Sequence, residues 1–197
     1  KIYFKYLKKI KNIEIKYILF KKNKKNFKIK FLKDYSLTKN LDQVLNDKKI
    51  THVNLVTPIN THYKLALKCL KKNKTVLVEK PLLMSKKQEK QITKYSHKLS
   101  ISYPYLFSET LKEAKKIIDK KILGDFRFAE IFLQQCGRFN KFSVYKLLGP
   151  HALSILSIFI DIKKIKTVKR EIISSKNKSE SAIIECYYKR KLICLVH

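Results

Sequence analysis

Hydrophobic positions along this chain follow one rhythm up to about residue 103 and another beyond it. In the first half, short apolar runs alternate with amphipathic stretches. Tyr3, Tyr6, Leu7 and Ile10 fall on one stripe and predict a helix over residues 1–11. Residues 13–20 form a β-branched apolar run, and 27–32 alternate apolar residues with Lys, so both read as strands. A helix is expected over 37–45, a strand over 52–56, and then a helix that Asn60 or Thr61 can cap. The run 75–78 reads as a strand ended by Pro81. Ser85 caps a helix running to about Leu99, and 101–103 returns as a strand.

Beyond Pro104 the strands lengthen. A helix over 108–122 ends at Gly124, which suits a left-handed cap, and 126–135 reads as a long strand. A helix over 149–160 follows, and then strands over 166–174, 181–188 and 192–196. Strands alternating with helices argue for a parallel sheet with helices on its faces; long strands in succession argue for an antiparallel one. The expected architecture is therefore an α/β domain with a parallel sheet over 1–103, followed by an α+β domain over 104–197 with a mainly antiparallel sheet. There is no internal repeat and no low-complexity linker.

Composition changes this picture little. With 197 residues and 45% hydrophobic content, the chain can build a sizeable core. The formal charge of +31 invites a nucleic-acid reading, but 42 of the 46 basic residues are Lys and only four are Arg. Base readout and stacking favour the planar Arg fork, which Lys does not replace. The 24 Ile and 10 Asn against five Ala point to an AT-rich coding bias as the source of the Lys. The excess is also spread out, +21 over residues 1–103 and +10 over the rest, so nucleic acid is not the expected partner. Cys69, Cys136, Cys186 and Cys194 are too scattered for a disulfide scaffold and lack C-x-x-C spacing, which fits a reduced cytoplasmic setting and no metal. The longest apolar run, 153–162, is too short for a membrane span of about 18 residues. The chain opens on Lys rather than Met, with no signal peptide, and is expected to be a piece of something longer.

Three segments carry the chemistry. The strand Val53–Val56 ends in Thr57-Pro58-Ile59-Asn60-Thr61-His62, a T-P-x-x-T-H at a helix start. The strand Thr75–Val78 ends in Glu79-Lys80-Pro81. Leu148-Gly149-Pro150-His151 reads as a helix start carrying a His. In this order and at these distances they resemble the Gfo/Idh/MocA family of NAD(P)-dependent oxidoreductases, named for glucose–fructose oxidoreductase and inositol dehydrogenase. Tyr103-Pro104-Tyr105-Leu106-Phe107 resembles the segment where that family's chain crosses between domains, and Leu123-Gly124-Asp125-Phe126 its helix-to-strand turn.

The resemblance implies that the α/β domain over 1–103 is Rossmann-like with its first strand missing, and it implies hydride transfer between a nicotinamide, NAD or NADP, and a sugar, polyol or nucleotide-sugar. It implies Lys80 and His151 as the catalytic pair. An amine aimed into a crevice, as a cis Lys-Pro bond would aim it, can bond a substrate hydroxyl, and an imidazole can take the hydroxyl proton. Cofactor contacts are expected from Thr57, Pro58, Asn60, His62, Glu79, Lys80, Pro81 and Lys21, and substrate contacts from Tyr103, Arg138, Asn140 and Tyr145. Asn60 and Thr61 serve equally well as helix caps, and His62 equally well as a first-turn surface residue. A homo-oligomer through the C-terminal sheet is also implied.

The chain departs from the family pattern at three places. No G-x-G-x-x-G turn is present, so no residue can be credited with the pyrophosphate. The strand 13–20 runs into Lys21-Lys22 rather than an acidic residue; basic residues there suit the 2′-phosphate of NADP. Four residues before His151, where members often carry Asp, stands Leu147. These departures keep a second reading open, a non-catalytic member acting as a binding or assembly module; a Lys-rich nucleic-acid binder comes third.

Overall fold

The structure, a computed structural model, describes residues 2–20, 35–82, 84–134, 143–173 and 179–197. The chain forms two compact units. One comprises Lys1–Val78 and Met84–Ser100, the other Glu79–Leu83 and Ile101–His197.

The first unit opens with helix α1 (Ile2–Leu7), followed by strands β1 (Tyr17–Leu19) and β2 (Ser36–Thr38), which pair in parallel. The predicted strand over 27–32 lies outside the described residues. Leu37, expected in a helix, lies in β2. Helix α2 (Leu41–Asn46) starts only after Asn40, whose side chain accepts from the backbone N–H groups of Asp42 and Gln43. Strand β3 (His52–Leu55) pairs in parallel with β4 (Thr75–Glu79), across helix α3 (His62–Lys71). Helix α4 (Lys86–Thr93) begins with a capping box between Ser85 and Gln88, and strand β5 (Leu99–Ser102) completes a sheet of order β3-β4-β5. Alternate residues of β4, Val76 and Val78, are fully buried, as are Ala66 and Cys69 of α3.

The turn after α2 is held from several directions. Asp47 accepts from Lys16 at 2.5 Å, from the Tyr17 hydroxyl at 3.0 Å and from the Lys49 backbone N–H at 2.9 Å. The Lys16 bond, more than the others, holds the Asp47 carboxyl down to about 2. The buried Lys74 donates to the carbonyls of Asp47 and Ile50 at 2.9 and 2.7 Å. Its aliphatic stem is buried while its ammonium replaces water with backbone oxygens.

In the second unit, a 3-10 turn over Pro104–Phe107 leads to helix α5 (Glu109–Asp119), capped by Ser108. Helix α5 stops at Asp119, short of the predicted end: Lys120 is its C-cap and Lys121 takes the left-handed conformation at φ +54°, while Gly124, left-handed at φ +82°, lies in the turn beyond the cap. Strand β6 (Ala129–Ile131) is shorter than the sequence predicts. Helix α6 (Val144–Phe159) is longer than predicted: it starts from a Ser143 cap, and Gly149 and Pro150 lie inside it. Strands β7 (Lys166–Ile173), β8 (Ser179–Tyr188) and β9 (Lys191–Val196) follow. The four-stranded sheet has the order β6-β9-β8-β7, antiparallel except for the parallel β6–β9 pair. Its core joins Ala152 and Leu156 of α6 to Ile184, Cys186, Cys194 and Val196 of the sheet. Gly149 lets the helix sit close, since a Cβ there would lie 3.3 Å from both Ile184 Cδ1 and Tyr145 Cδ2. The fold is thus a Rossmann-like parallel sheet followed by a mainly antiparallel one. No helix among the described residues is long and apolar enough to cross a membrane.

Candidate functional site

Within the second unit, Lys80 and His151 converge on one turn of α6. The Lys80–Pro81 peptide bond is cis, and Pro81 and Leu82 after it are buried. The Glu79 carboxylate accepts from the Lys80 backbone N–H at 3.1 Å, and the Lys80 Nζ donates to the Leu147 carbonyl at 3.0 Å. Leu147 and His151 stand four residues apart on the helix, so a group bonded at one lies along the face of the other. The sequence reading placed His151 at a helix start. The Ser143 cap instead puts it in the second turn, which is what brings Leu147 beneath it.

Lys80 shifts the chemistry of His151. Partial burial lowers the pKa of His151 from its ordinary value, and the Lys80 charge lowers it further, against a smaller opposing effect of Glu79. Burial also lowers Lys80, again opposed by Glu79. Burial and the Lys80 charge thus both favour the neutral form of the imidazole. The His151 Nδ1 is buried with no hydrogen-bond partner, and the ring meets Tyr105 edge-on, 5.2 Å between centroids at 89°. Tyr103 is half-buried, and burial raises its hydroxyl pKa. Tyr145 packs against the core beneath α6. The Leu147 carbonyl and the Tyr105 ring went unnoticed in the sequence reading. The four-residue spacing to His151 could have flagged the first; nothing local could have flagged the second.

The T-P-x-x-T-H segment lies in the first unit and behaves differently. His62 is 1% exposed, and its Nε2 donates to the Thr57 carbonyl at 2.7 Å. The surface-residue reading of His62 is thereby corrected: the 3-10 turn Ile59–Thr61 folds the ring under the loop. Thr61 precedes α3 but makes no side-chain cap; its hydroxyl donates to the Pro58 carbonyl at 2.7 Å and lies 2.8 Å from the Thr57 hydroxyl. Thr57 is half-buried, while Pro58 and Asn60 are exposed. Lys21, Arg138 and Asn140 lie outside the described residues.

A dinucleotide fits part of this arrangement. Parallel register between Leu55 and Val78 sets the carboxyl ends of β3 and β4 side by side. Val56, just past β3, is 58% exposed, an apolar side chain left open at the end where parallel sheets receive nucleotides. All three glycines lie at or after Gly124, so the chain has no Gly-rich turn for a pyrophosphate. Among the described residues, no three His, Cys, Asp or Glu side chains are grouped to hold a metal ion.

The parallel sheet with its crossover helices is a fold of the Rossmann class. The model of the Gfo/Idh/MocA oxidoreductase family, with its NAD-binding Rossmann fold, matches residues 6–103, and the chain belongs to that family. No curated protein matches. Among solved structures the chain is similar to GenD2 from gentamicin A biosynthesis in complex with NAD, at 16% identity and a TM-score of 0.79, covering 98% of this chain and 60% of that one. An oxidoreductase from Bacillus cereus is similar at 22% identity and 0.76, over 97% and 58%. A candidate myo-inositol dehydrogenase from Sinorhizobium meliloti 1021 is similar at 13% identity and 0.78, over 98% and 63%. The chain thus spans about three-fifths of the length of these structures, and they share its fold.

Proposed function

We propose that this chain carries the chemistry of an NAD(P)-dependent oxidoreductase moving hydride between a nicotinamide and a carbinol carbon of a sugar, polyol or nucleotide-sugar. The observation that supports this best is the Lys80–Leu147–His151 cluster, in which the Lys80 Nζ donates to the backbone carbonyl one helical turn before His151. The nicotinamide, when bound, supplies the hydride acceptor or donor. In the oxidising direction His151 takes the hydroxyl proton, and Lys80, as an ammonium, steadies the negative charge developing on that oxygen. In the reducing direction the same imidazole returns the proton. Tyr105 holds the ring edge-on, where a carboxylate partner would otherwise orient it, and Lys80 occupies the Leu147 carbonyl until a substrate hydroxyl replaces that acceptor.

Residues 1–103 act as the dinucleotide domain, with Thr57, Pro58, Asn60, Glu79, Lys80 and Pro81 toward the cofactor. His62 serves through the loop it holds. Lys21 selects between NAD and the 2′-phosphate of NADP. Residues 104–197 form the substrate and oligomerisation domain, whose Arg138, Asn140 and Tyr145, together with Tyr103 at the end of the first domain, contact the polyol. The exposed Val168, Tyr188 and Leu192 on its sheet support association with a second copy, and the free buried thiols support a cytoplasmic setting. The test is nicotinamide absorbance with NAD and NADP over a panel of polyols and sugars, comparing the full chain with Lys80→Met. Turnover lost in the variant is expected; a variant as active as the parent, or no turnover with any alcohol, would overturn the reading.

A further inference from the structure

Strands β8 and β9 set Cys186 directly opposite Cys194, and a register shift follows immediately at Tyr187. Residues opposite on antiparallel strands have Cα atoms about 4.5–5.5 Å apart. A disulfide accepts Cα separations of about 4.4–6.8 Å, so the backbone spacing already suits a bond between the two sulfurs. Both residues are fully buried, in the cluster that also contains Ala152 and Leu156 of α6.

The two thiols are not equivalent. The Cys194 thiol has two acceptors in reach, the Leu195 carbonyl at 3.5 Å and the Cys186 sulfur. Donation to Cys186 lowers that residue's pKa; the same bond, with burial and the charge of Glu130, pushes Cys194 up. The Cys194 S–H, aimed at the Leu195 carbonyl, keeps its proton, which leaves Cys186 as the nucleophile and Cys194 as the resolving thiol. Cys69, in the other unit, provides the contrast. It is equally buried, burial pushes its thiol up to about 11, and neither of the other described cysteines shares its unit.

We propose that Cys186 and Cys194 are a peroxide-driven disulfide-forming pair, a modification site in the sheet beneath the helix that carries His151. The Cys186 thiol first gives its proton to solvent; the thiolate attacks one oxygen of hydrogen peroxide, the O–O bond breaks, Cys186 becomes a sulfenic acid, and the departing hydroxide takes a proton back from solvent as water. The Cys194 sulfur then attacks the sulfenic sulfur, the S–S bond forms, and the sulfenic hydroxyl leaves with the Cys194 proton as a second water. Two thiols are oxidised and one peroxide is reduced to two waters. Peroxide is small enough to reach a buried sulfur during local opening of the hairpin. An adjacent thiol also stops the oxidation at the reversible stage.

The test is a peptide map of the folded full chain after brief peroxide treatment and alkylation, without reductant. The expected result is a linked peptide pair containing Cys186 and Cys194, formed roughly tenfold faster than Cys69 is lost and restored by dithiothreitol. In Cys194→Ser, dimedone should label Cys186 as the stranded sulfenic acid, whereas the parent should show little label there. Equal loss of all three thiols, disulfides between chains only, or a pair still alkylatable once Cys69 has reacted would each overturn the proposal. None of these readouts depends on nicotinamide turnover, so the proposal can fail or hold independently of the oxidoreductase reading.

Discussion

Two histidines and two lysines in this chain have opposite fates, and the difference separates structure from chemistry. His62 and His151 both follow a proline closely, His62 opening α3 after Pro58 and His151 standing next to Pro150 within α6. His62 is sealed in the first unit and spends a ring N–H on its own loop, the Thr57 carbonyl. His151 keeps one ring nitrogen buried without a partner and touches an aromatic edge instead. Lys74 and Lys80 both flank β4, one at each end. Lys74 is nearly inaccessible and satisfied by two carbonyls, whereas Lys80 is half-buried and donates to one. A polar group with its bonds already made stabilises a loop; one held in place with capacity left over can meet a substrate.

The sharpest way to break this comparison is to remove the second member of each pair. Lys80→Met and His151→Asn should each lower kcat in the nicotinamide assay by about 10²–10⁴-fold, with an unchanged unfolding transition. His62→Ala should do the reverse. Losing the buried ring and stranding the Thr57 carbonyl should cost about 2–4 kcal/mol in denaturant unfolding, with kcat little altered once the protein is folded. Lys74→Met should destabilise by about 1–3 kcal/mol, because two buried carbonyls lose their donor.

Smaller effects sharpen the electrostatics. By histidine NMR, His151 should titrate below the ordinary imidazole range, near 6.5. In Lys80→Met its midpoint should rise, yet remain depressed, because burial is the larger cause. As pH falls below about 6.5 the unfolded chain takes up this proton before the folded one does, so the His151 contribution to stability is present above that value and lost below it. A midpoint unmoved by Lys80→Met would mean that the two groups do not interact. Asp47 supplies the acid counterpart. Its contribution is present above 3.8 and lost as pH falls through about 2, so Asp47→Asn should flatten acid unfolding in that window.

Much of this was legible in the sequence because the signals are local. The Thr75–Val78 run reads as a strand from its apolar residues alone, and Ser85 marks a helix start through side-chain capping. The parallel-then-antiparallel architecture followed from strand spacing. The start of α6 was misplaced because Gly149 and Pro150 read as a boundary, while the Ser143 cap and packing on Ile184 held the helix through them. Leu37 was drawn into a helix for the same kind of reason, since pairing with β1 outweighed its local preference.

The site divides along the same line. Residue types and order along the chain are local information, and they singled out Lys80 and His151. Whether a histidine is sealed or poised, and which carbonyl receives an amine 67 positions away, depends on long-range packing that no window of sequence contains. The sequence determined which groups are present and where the helices and strands can begin. Tertiary structure decided which of those groups are satisfied, because a hydrogen bond between distant residues forms only after the chain between them has folded.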